Sequence, residues 1–228
     1  MPRPLTLSLL QSEAARFGRW QSGRPIRALF GATDGKAVGT HLEHQFQAKL
    51  ERKYAYHRGN SARGIDFPAL DVDIKVTSIR QPQSSCPFRS ARQKIYGLGY
   101  SLIVFAYDKR DDAKARAARL DIKHVVFVDK TRTADFQTTS GLLRLIENKA
   151  NRDDILAFFE ERLLPFEGDE TIALAEEVLR SPPVLGFLTV SKVSIQPAPF
   201  DQVLKLAGLE HGLWRLTPPR AKRRQPQA

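Results

Sequence analysis

The chain has 228 residues, of which 42% are hydrophobic and 27% are charged. This composition is typical of one large folded domain and excludes an intrinsically disordered chain. The single cysteine, Cys86, excludes an intrachain disulfide and a cysteine-based zinc site. The same cysteine count fits a reducing cytoplasm, where we expect the protein to be located. No apolar run approaches the length of about 18 residues that a membrane span needs.

The charge balance indicates the kind of partner that the protein binds. The 36 Lys and Arg residues outnumber the 25 Asp and Glu residues, which gives a formal net charge of +11. Basic side chains that neutralise phosphates release counterions and so gain affinity for nucleic acid. We therefore expect a polyanionic partner.

The first predicted elements are helical. Residues 4–17 predict a short helix, whereas 21–40 are rich in glycine and turn residues and predict a loop. A longer helix is predicted to begin at Thr40, because apolar side chains then recur at every fourth position. This stripe consists of Leu42, Phe46, Leu50 and Tyr54.

Charge is concentrated in the next predicted element, GIDFPALDVDIKVTS, which spans residues 64–78. The pattern predicts two short strands or one bent hairpin. Since side chains alternate between the two faces of a strand, Asp71, Asp73 and Lys75 are expected to share one face, opposite a wholly apolar one. Asp66 lies just before this strand.

Carboxylates placed this close together repel one another and raise each other's pKa. A divalent cation removes that repulsion, and Mg²⁺ binds one or two carboxylates together with waters and phosphate oxygens. Such a cation activates water for displacement at phosphorus, and Lys75 would orient that water or balance charge on the phosphate. The alternative from the same residues is a sheet edge with one solvated face.

Alternating helical and apolar segments follow. Pro87 predicts the start of a helix that ends near Gly97. The apolar runs 101–108 and 124–129 predict buried strands, and the charged segment 108–121 is interpreted as a surface excursion between them.

The rest of the chain is predicted to be mainly helical. Residues 140–181 predict two or three amphipathic helices, with Ser140, Asn151 and Asp169 as candidate caps. Residues 187–195 predict a further strand.

The order of elements predicts an α/β or α+β fold in which helices flank a mixed central sheet. We expect an N-terminal arm over residues 1–37 and a core over 38–150. A helical C-terminal extension with a basic tail is expected over 151–228.

A family resemblance rests on Asp66 and on the run Asp73-Ile74-Lys75, which resemble the PD-(D/E)xK nuclease signature. Together with the helix and the apolar strand that follow, residues 38–130 resemble type II restriction endonucleases of that superfamily. The resemblance implies a restriction-endonuclease-like core and a Mg²⁺ site held by Asp66 and Asp73. It also implies that the backbone carbonyl of Ile74 is a ligand and that Lys75 assists the attacking water.

The sequence departs from the family signature in two ways. Isoleucine rather than proline precedes Asp66, and the gap from Asp66 to Asp73 is short. Asp71 therefore rivals Asp66 as the first metal ligand, and we favour Asp66.

Glu43 is a further candidate, because many members of the superfamily carry an acidic residue on a preceding helix that faces the metal. The alternative is local. Thr40 and Glu43 have the spacing of a capping box, in which Glu43 would bond back to the backbone N–H of Thr40.

The candidate DNA-binding surface follows the predicted metal site. Arginine binds guanine bidentately, glutamine binds adenine, and serine binds phosphate or base, whereas turn chemistry and a solvated helix face are the alternatives. The candidate residues are Arg80, Gln81, Gln83, Ser84, Ser85, Arg89, Arg92 and Gln93.

Together these observations predict a sequence-specific, Mg²⁺-dependent endonuclease of the type II restriction class that acts on double-stranded DNA. Because DNA palindromes are matched by two-fold protein symmetry, we expect a homodimer. A cognate DNA methyltransferase is expected in the same system. The alternatives are a structure-specific nuclease, such as a junction resolvase, and a DNA-binding protein without catalysis.

Overall fold

A computed structural model describes residues 2–59, 64–80, 88–164, 170–188 and 211–216. Its α-helices are α1 (Leu7–Gln21), α2 (Gly35–Glu51), α3 (Ala91–Tyr96), α4 (Phe136–Glu147), α5 (Arg152–Glu161) and α6 (Glu170–Arg180). Its strands are β1 (Arg3–Pro4), β2 (Pro25–Ile26), β3 (Tyr54–Ala55), β4 (Val72–Ser78), β5 (Ser101–Asp112), β6 (Ala117–Val128) and β7 (Leu213–Arg215). Helices flanking a mixed sheet confirm the predicted fold class.

The main sheet is built on the long antiparallel pair of β5 and β6. Strand β4 pairs with β5 in parallel, while β2 and β7 both pair antiparallel with β6, so β4 lies at an edge of the described sheet. The charged segment 108–121 is therefore not a surface excursion, as its sequence had suggested. Most of this segment belongs to the outer ends of β5 and β6. Its backbone is paired between the two strands, and its charged side chains occupy mainly positions that are not buried.

The two faces of the sheet pack against different layers. Ile103 and Phe105 of β5 belong to the main core, which also contains buried side chains of α1, α2, β4 and β6. Leu102 and Val104 point to the other face and pack with Phe88. This alternation places α1 and α2 on one face of the sheet and the segment that leads to α3 on the other.

Helix α2 begins earlier than its apolar stripe indicated. Asp34 is its N-cap and accepts a hydrogen bond from Lys36 N at 2.9 Å. Thr40 lies inside the helix, so the predicted start at Thr40 was wrong, and 21–40 is only partly a loop. Two glycines near this end weaken the helical pattern, but the cap and burial of Val38 compensate for them.

The C-terminal helices match the sequence pattern in number and differ in their caps. Asn151 is confirmed as the cap of α5, where it forms a capping box with Asp154. Ser140 lies inside α4, whose N-cap is Asp135, so its prediction as a cap was wrong. The predicted cap Asp169 and most of the predicted strand 187–195 lie outside the described residues.

Helix α3 joins these C-terminal helices to the sheet. Ile95 is fully buried in a cluster of side chains from α3, α4, α5 and α6. Arg92 makes a bidentate ion pair with Glu177 of α6, with N–O distances of 2.6 and 2.7 Å, and the Tyr96 hydroxyl donates to the carbonyl of Ser181 at 3.0 Å. The segment after α6 then returns to the start of α4, where Leu188 N donates to Ala134 O at 3.0 Å.

Within the described ranges, no helix is both long and apolar enough to cross a bilayer.

The return segment predicts a stability difference between two glycine substitutions. Gly186→Ala is expected to lower the free energy of unfolding by about 1–3 kcal/mol, because the new methyl group would overlap the carbonyl of Ala134. The control, Gly35→Ala, has free space around its added methyl group and is expected to be neutral or stabilising by up to about 1 kcal/mol. Chemical denaturation measures both, and equal stability of the two variants would contradict the packing described for Gly186.

Candidate active site

Asp66 is held at the open edge of β4 by backbone contacts. Its Oδ2 accepts a hydrogen bond from Ile74 N at 2.8 Å, and its carbonyl accepts one from Gly59 N at 2.9 Å. A side chain at Gly59 would overlap the carbonyl of Ile65, so glycine allows the two segments to approach this closely. The short gap between Asp66 and β4 is bridged by a one-turn 3-10 helix, Pro68–Leu70.

Asp73 and Lys75 project from the same face of β4, as predicted. Asp73 is only 4% exposed, although its strand lies at the sheet edge. Its Oδ2 forms an ion pair with Lys75 Nζ at 2.8 Å, but that geometry is not aligned for a hydrogen bond. The alternative of a solvated edge face is therefore wrong for Asp73, since the carboxylate is buried and paired.

The structure brings the carboxyl groups of Asp66 and Asp73 together. Burial, hydrogen bonding to Asp73 and the Asp73 charge raise the pKa of Asp66 to about 8, and the charge of Glu43 adds to the effect. Burial opposes the charged form of Lys75, yet the neighbouring Asp73 carboxylate raises the pKa of Lys75 above its usual value. The site thus has one ammonium and two carboxyl groups that do not both ionise readily.

The backbone of Ile74 also faces this site. In a strand, the N–H and the carbonyl of one residue leave the chain on the same side. Because Ile74 N donates to Asp66, the carbonyl of Ile74 is directed towards the open edge, away from β5. This is the direction that the predicted metal ligand requires.

Asp71 is placed elsewhere. It adopts a left-handed backbone conformation with φ 51° and ends the short 3-10 helix before β4 begins at Val72. Its carboxylate is exposed and lies 3.8 Å from Lys130 Nζ. The prediction that Asp71 shares a strand face with Asp73 was therefore wrong, and of the two rivals only Asp66 lies beside Asp73.

Helix α2 contributes two side chains next to Asp66. Gln47 Nε2 donates to Asp66 Oδ1 at 3.2 Å and to Glu43 Oε1 at 3.4 Å. Glu43 does not form the alternative capping box, because Thr40 lies inside the helix. Sequence reasoning missed Gln47, although its position one turn after Glu43 was a usable signal.

Two further side chains near the site come from the segment around α3. A methyl group on Gly64 would lie 3.6 Å from Arg89 Nη2, which places the Arg89 guanidinium beside the chain that leads to Asp66. Tyr100 was missed because no sequence signal marks it. Burial and the nearby Asp73 charge raise the pKa of its hydroxyl, with Lys75 and Arg89 acting in the opposite direction.

The other candidate DNA-binding residues are engaged in contacts within the chain or fall outside the described part. Arg80 Nε pairs with Asp108 Oδ1 at 2.7 Å, and Gln93 Oε1 accepts from Arg89 N at 2.7 Å. Arg92 is held by Glu177. The residues outside the described ranges are Gln81, Gln83, Ser84 and Ser85.

The donor set suits a hard divalent cation better than a zinc ion. Among the described residues, no three His, Cys, Asp or Glu side chains form a metal-binding group. Two carboxyl groups and a backbone carbonyl nevertheless offer the oxygen atoms that Mg²⁺ prefers. A few protein ligands are enough for Mg²⁺, because it usually keeps several of its waters. The repulsion that keeps a proton on Asp66 is what a bound cation would relieve.

The raised pKa of Asp66 predicts the pH dependence of stability in EDTA. Protonated Asp66 stabilises the folded chain fully below its unfolded-state pKa of about 4, and this contribution is lost as pH rises through about 8. Asp66→Asn is expected to remove that part of the dependence, whereas the exposed control Asp71→Asn is expected to retain it. Thermal unfolding from pH 4 to 9 measures the difference, and parallel curves for wild type and Asp66→Asn would contradict the assignment.

Comparison with known proteins agrees with this geometry. Residues 4–215 match the family of the type II restriction enzyme NspV. The type II restriction enzyme NspV of Nostoc sp. (strain ATCC 29411 / PCC 7524) is 51% identical over 209 residues, which cover 92% of this chain and 95% of that protein. No solved structure matches the chain. The predicted resemblance is confirmed, and the chain belongs to the NspV family of type II restriction enzymes.

Proposed function

We propose that this chain is a type II restriction enzyme that hydrolyses phosphodiesters of double-stranded DNA with Mg²⁺ held by Asp66 and Asp73. Family membership confirms the predicted enzyme class, a site-specific deoxyribonuclease. The observation that carries the assignment of the site is the contact between the Asp66 and Asp73 carboxyl groups, with Lys75 Nζ 2.8 Å from Asp73.

Each residue of the proposed site has a distinct task. Asp66, Asp73 and the carbonyl of Ile74 would hold the cation, which supplies Lewis-acid stabilisation of phosphate charge and an acidified water. Lys75 would orient the attacking water or balance charge on the scissile phosphate, because its pKa is raised and it stays protonated. Glu43 would act from α2, and its charge already reaches Asp66.

DNA binding is proposed to use the surface beside this site. Arg89 is the best supported contact, because its guanidinium lies over the segment that leads to Asp66. The net charge of +11 supports attraction of the DNA backbone. For Arg80, Arg92 and Gln93 to contact DNA, each side chain would first have to leave its present partner. The contacts proposed for Gln81, Gln83, Ser84 and Ser85 stay predictions.

The assembly and domain roles remain proposals as well. A homodimer would match a palindromic recognition site, and a cognate methyltransferase would protect the host DNA. The division into an arm over 1–37, a core over 38–150 and an extension over 151–228 describes proposed roles. In space, α1 of the arm packs into the main core.

A cleavage assay tests the proposed metal site. Wild-type protein with plasmid or phage DNA is expected to give discrete fragments in Mg²⁺ and intact DNA in EDTA. Asp73→Asn is expected to slow cleavage by at least about 100-fold, because a cation ligand and its charge stabilisation are lost. DNA binding in EDTA is expected to survive, since Asp73 contributes a negative charge.

Asp71→Asn is the matched control, because it removes a nearby carboxylate that is exposed and lies 3.8 Å from Lys130 Nζ. Its cleavage rate is expected to stay near that of wild type. Retained cleavage by Asp73→Asn would remove Asp73 from the site. Intact but shifted DNA in Mg²⁺ would favour the non-catalytic DNA-binding alternative, and cutting of branched DNA alone would favour a junction resolvase.

A further inference from the structure

Gln47 is a buried amide whose orientation is determined by its neighbours. Its side chain is on α2, and the residue is only 2% exposed. Nε2 donates to Asp66 Oδ1 at 3.2 Å and to Glu43 Oε1 at 3.4 Å, so both of its N–H groups face carboxylate acceptors. Exchanging the two ends of the amide would place its oxygen against the carboxylate oxygen of Glu43, which is unfavourable.

This orientation leaves the other end of the amide without a partner. Gln47 Oε1 is buried and has no hydrogen-bond partner among the described residues. A buried acceptor left unsatisfied costs about 1–3 kcal/mol, so native structures nearly always supply a donor. The missing donor therefore points to a small polar group that joins Gln47 at this site.

A purely structural role explains only half of this arrangement. Packing of α2 against β4 would be served by an apolar side chain at position 47, as it is by Phe46 and Leu50. A tether to Asp66 would need only the Nε2 donor. Neither role accounts for a buried, unsatisfied Oε1 on a side chain whose Nε2 is bonded to Asp66, one of the proposed cation ligands.

We propose that Gln47 is a positioning residue that holds the Asp66 carboxylate with Nε2 and accepts, at Oε1, a hydrogen bond from a water of the bound divalent cation. The inference rests on the proposed metal site. Mg²⁺ retains several of its waters when it binds to protein, and each water offers two strong donors. Acceptors in this outer shell orient the ligands and commonly change metal affinity or activity by 10–100-fold.

A substitution with a matched control tests this role. Gln47→Met removes both hydrogen-bonding ends at similar length, and Gln45→Met makes the same change at an exposed position of α2. Gln47→Met is expected to raise the Mg²⁺ concentration for half-maximal cleavage by about 10-fold or more, with DNA binding in EDTA unchanged. Gln45→Met is expected to match wild type. An unchanged Mg²⁺ requirement in Gln47→Met would overturn the proposal.

A measurement on the wild-type protein covers the case in which Gln47→Met fails to fold. The side-chain NH₂ resonance of Gln47 is expected to shift on addition of Mg²⁺ alone, because the amide would gain a partner at Oε1. The Gln45 resonance is expected to stay in place. If neither resonance moves at Mg²⁺ concentrations that support cleavage, Gln47 does not contact the hydrated cation.

Asp73→Asn separates failure of this inference from failure of the metal site itself. Loss of cleavage in Asp73→Asn together with a normal Mg²⁺ requirement in Gln47→Met would overturn the role of Gln47 only. Normal cleavage in Asp73→Asn would overturn the proposed metal site and the inference with it.

Discussion

The Asp66 carboxyl lies against the Asp73 carboxyl at the edge of β4, where burial and mutual repulsion both oppose two negative charges. The surrounding atoms offset this cost in specific ways. Lys75 supplies a positive charge to Asp73, while Ile74 N and Gln47 Nε2 donate to the two oxygens of Asp66. A proton on Asp66 removes the remaining repulsion, and the proposed divalent cation would have the same effect.

The fold allows this arrangement because β4 is an edge strand with helices on both faces of its sheet. Its apolar side chains pack under α2, which brings Glu43 and Gln47 past the strand edge. Its polar face is covered from the other side by the segment around α3, including Tyr100 and Arg89. An interior strand would have its Ile74 N–H paired with a neighbour, and Asp66 would lose the contact that orients it.

The C-terminal helices hold α3 in position. Arg92 and Tyr96 tie that short helix to α6 and to the residue that follows it, while Ile95 is buried among the C-terminal helices. A helix of six residues has little stability of its own, so its position depends on these tertiary contacts. These contacts connect the C-terminal helices to the segment that carries Arg89, which belongs to the surface proposed for DNA.

The sequence alone determined the mixed α/β architecture, the paired side chains Asp73 and Lys75, and the enzyme class, because alternation along a strand and a short signature are local properties. Only the tertiary structure placed Asp66 rather than Asp71 beside Asp73, since Asp71 adopts a left-handed conformation and lies outside β4. It also brought Asp66 into contact with Gln47, which lies on α2, 19 positions earlier in the chain. Local patterns carry no information on such contacts, which arise when separate elements bury their apolar faces together.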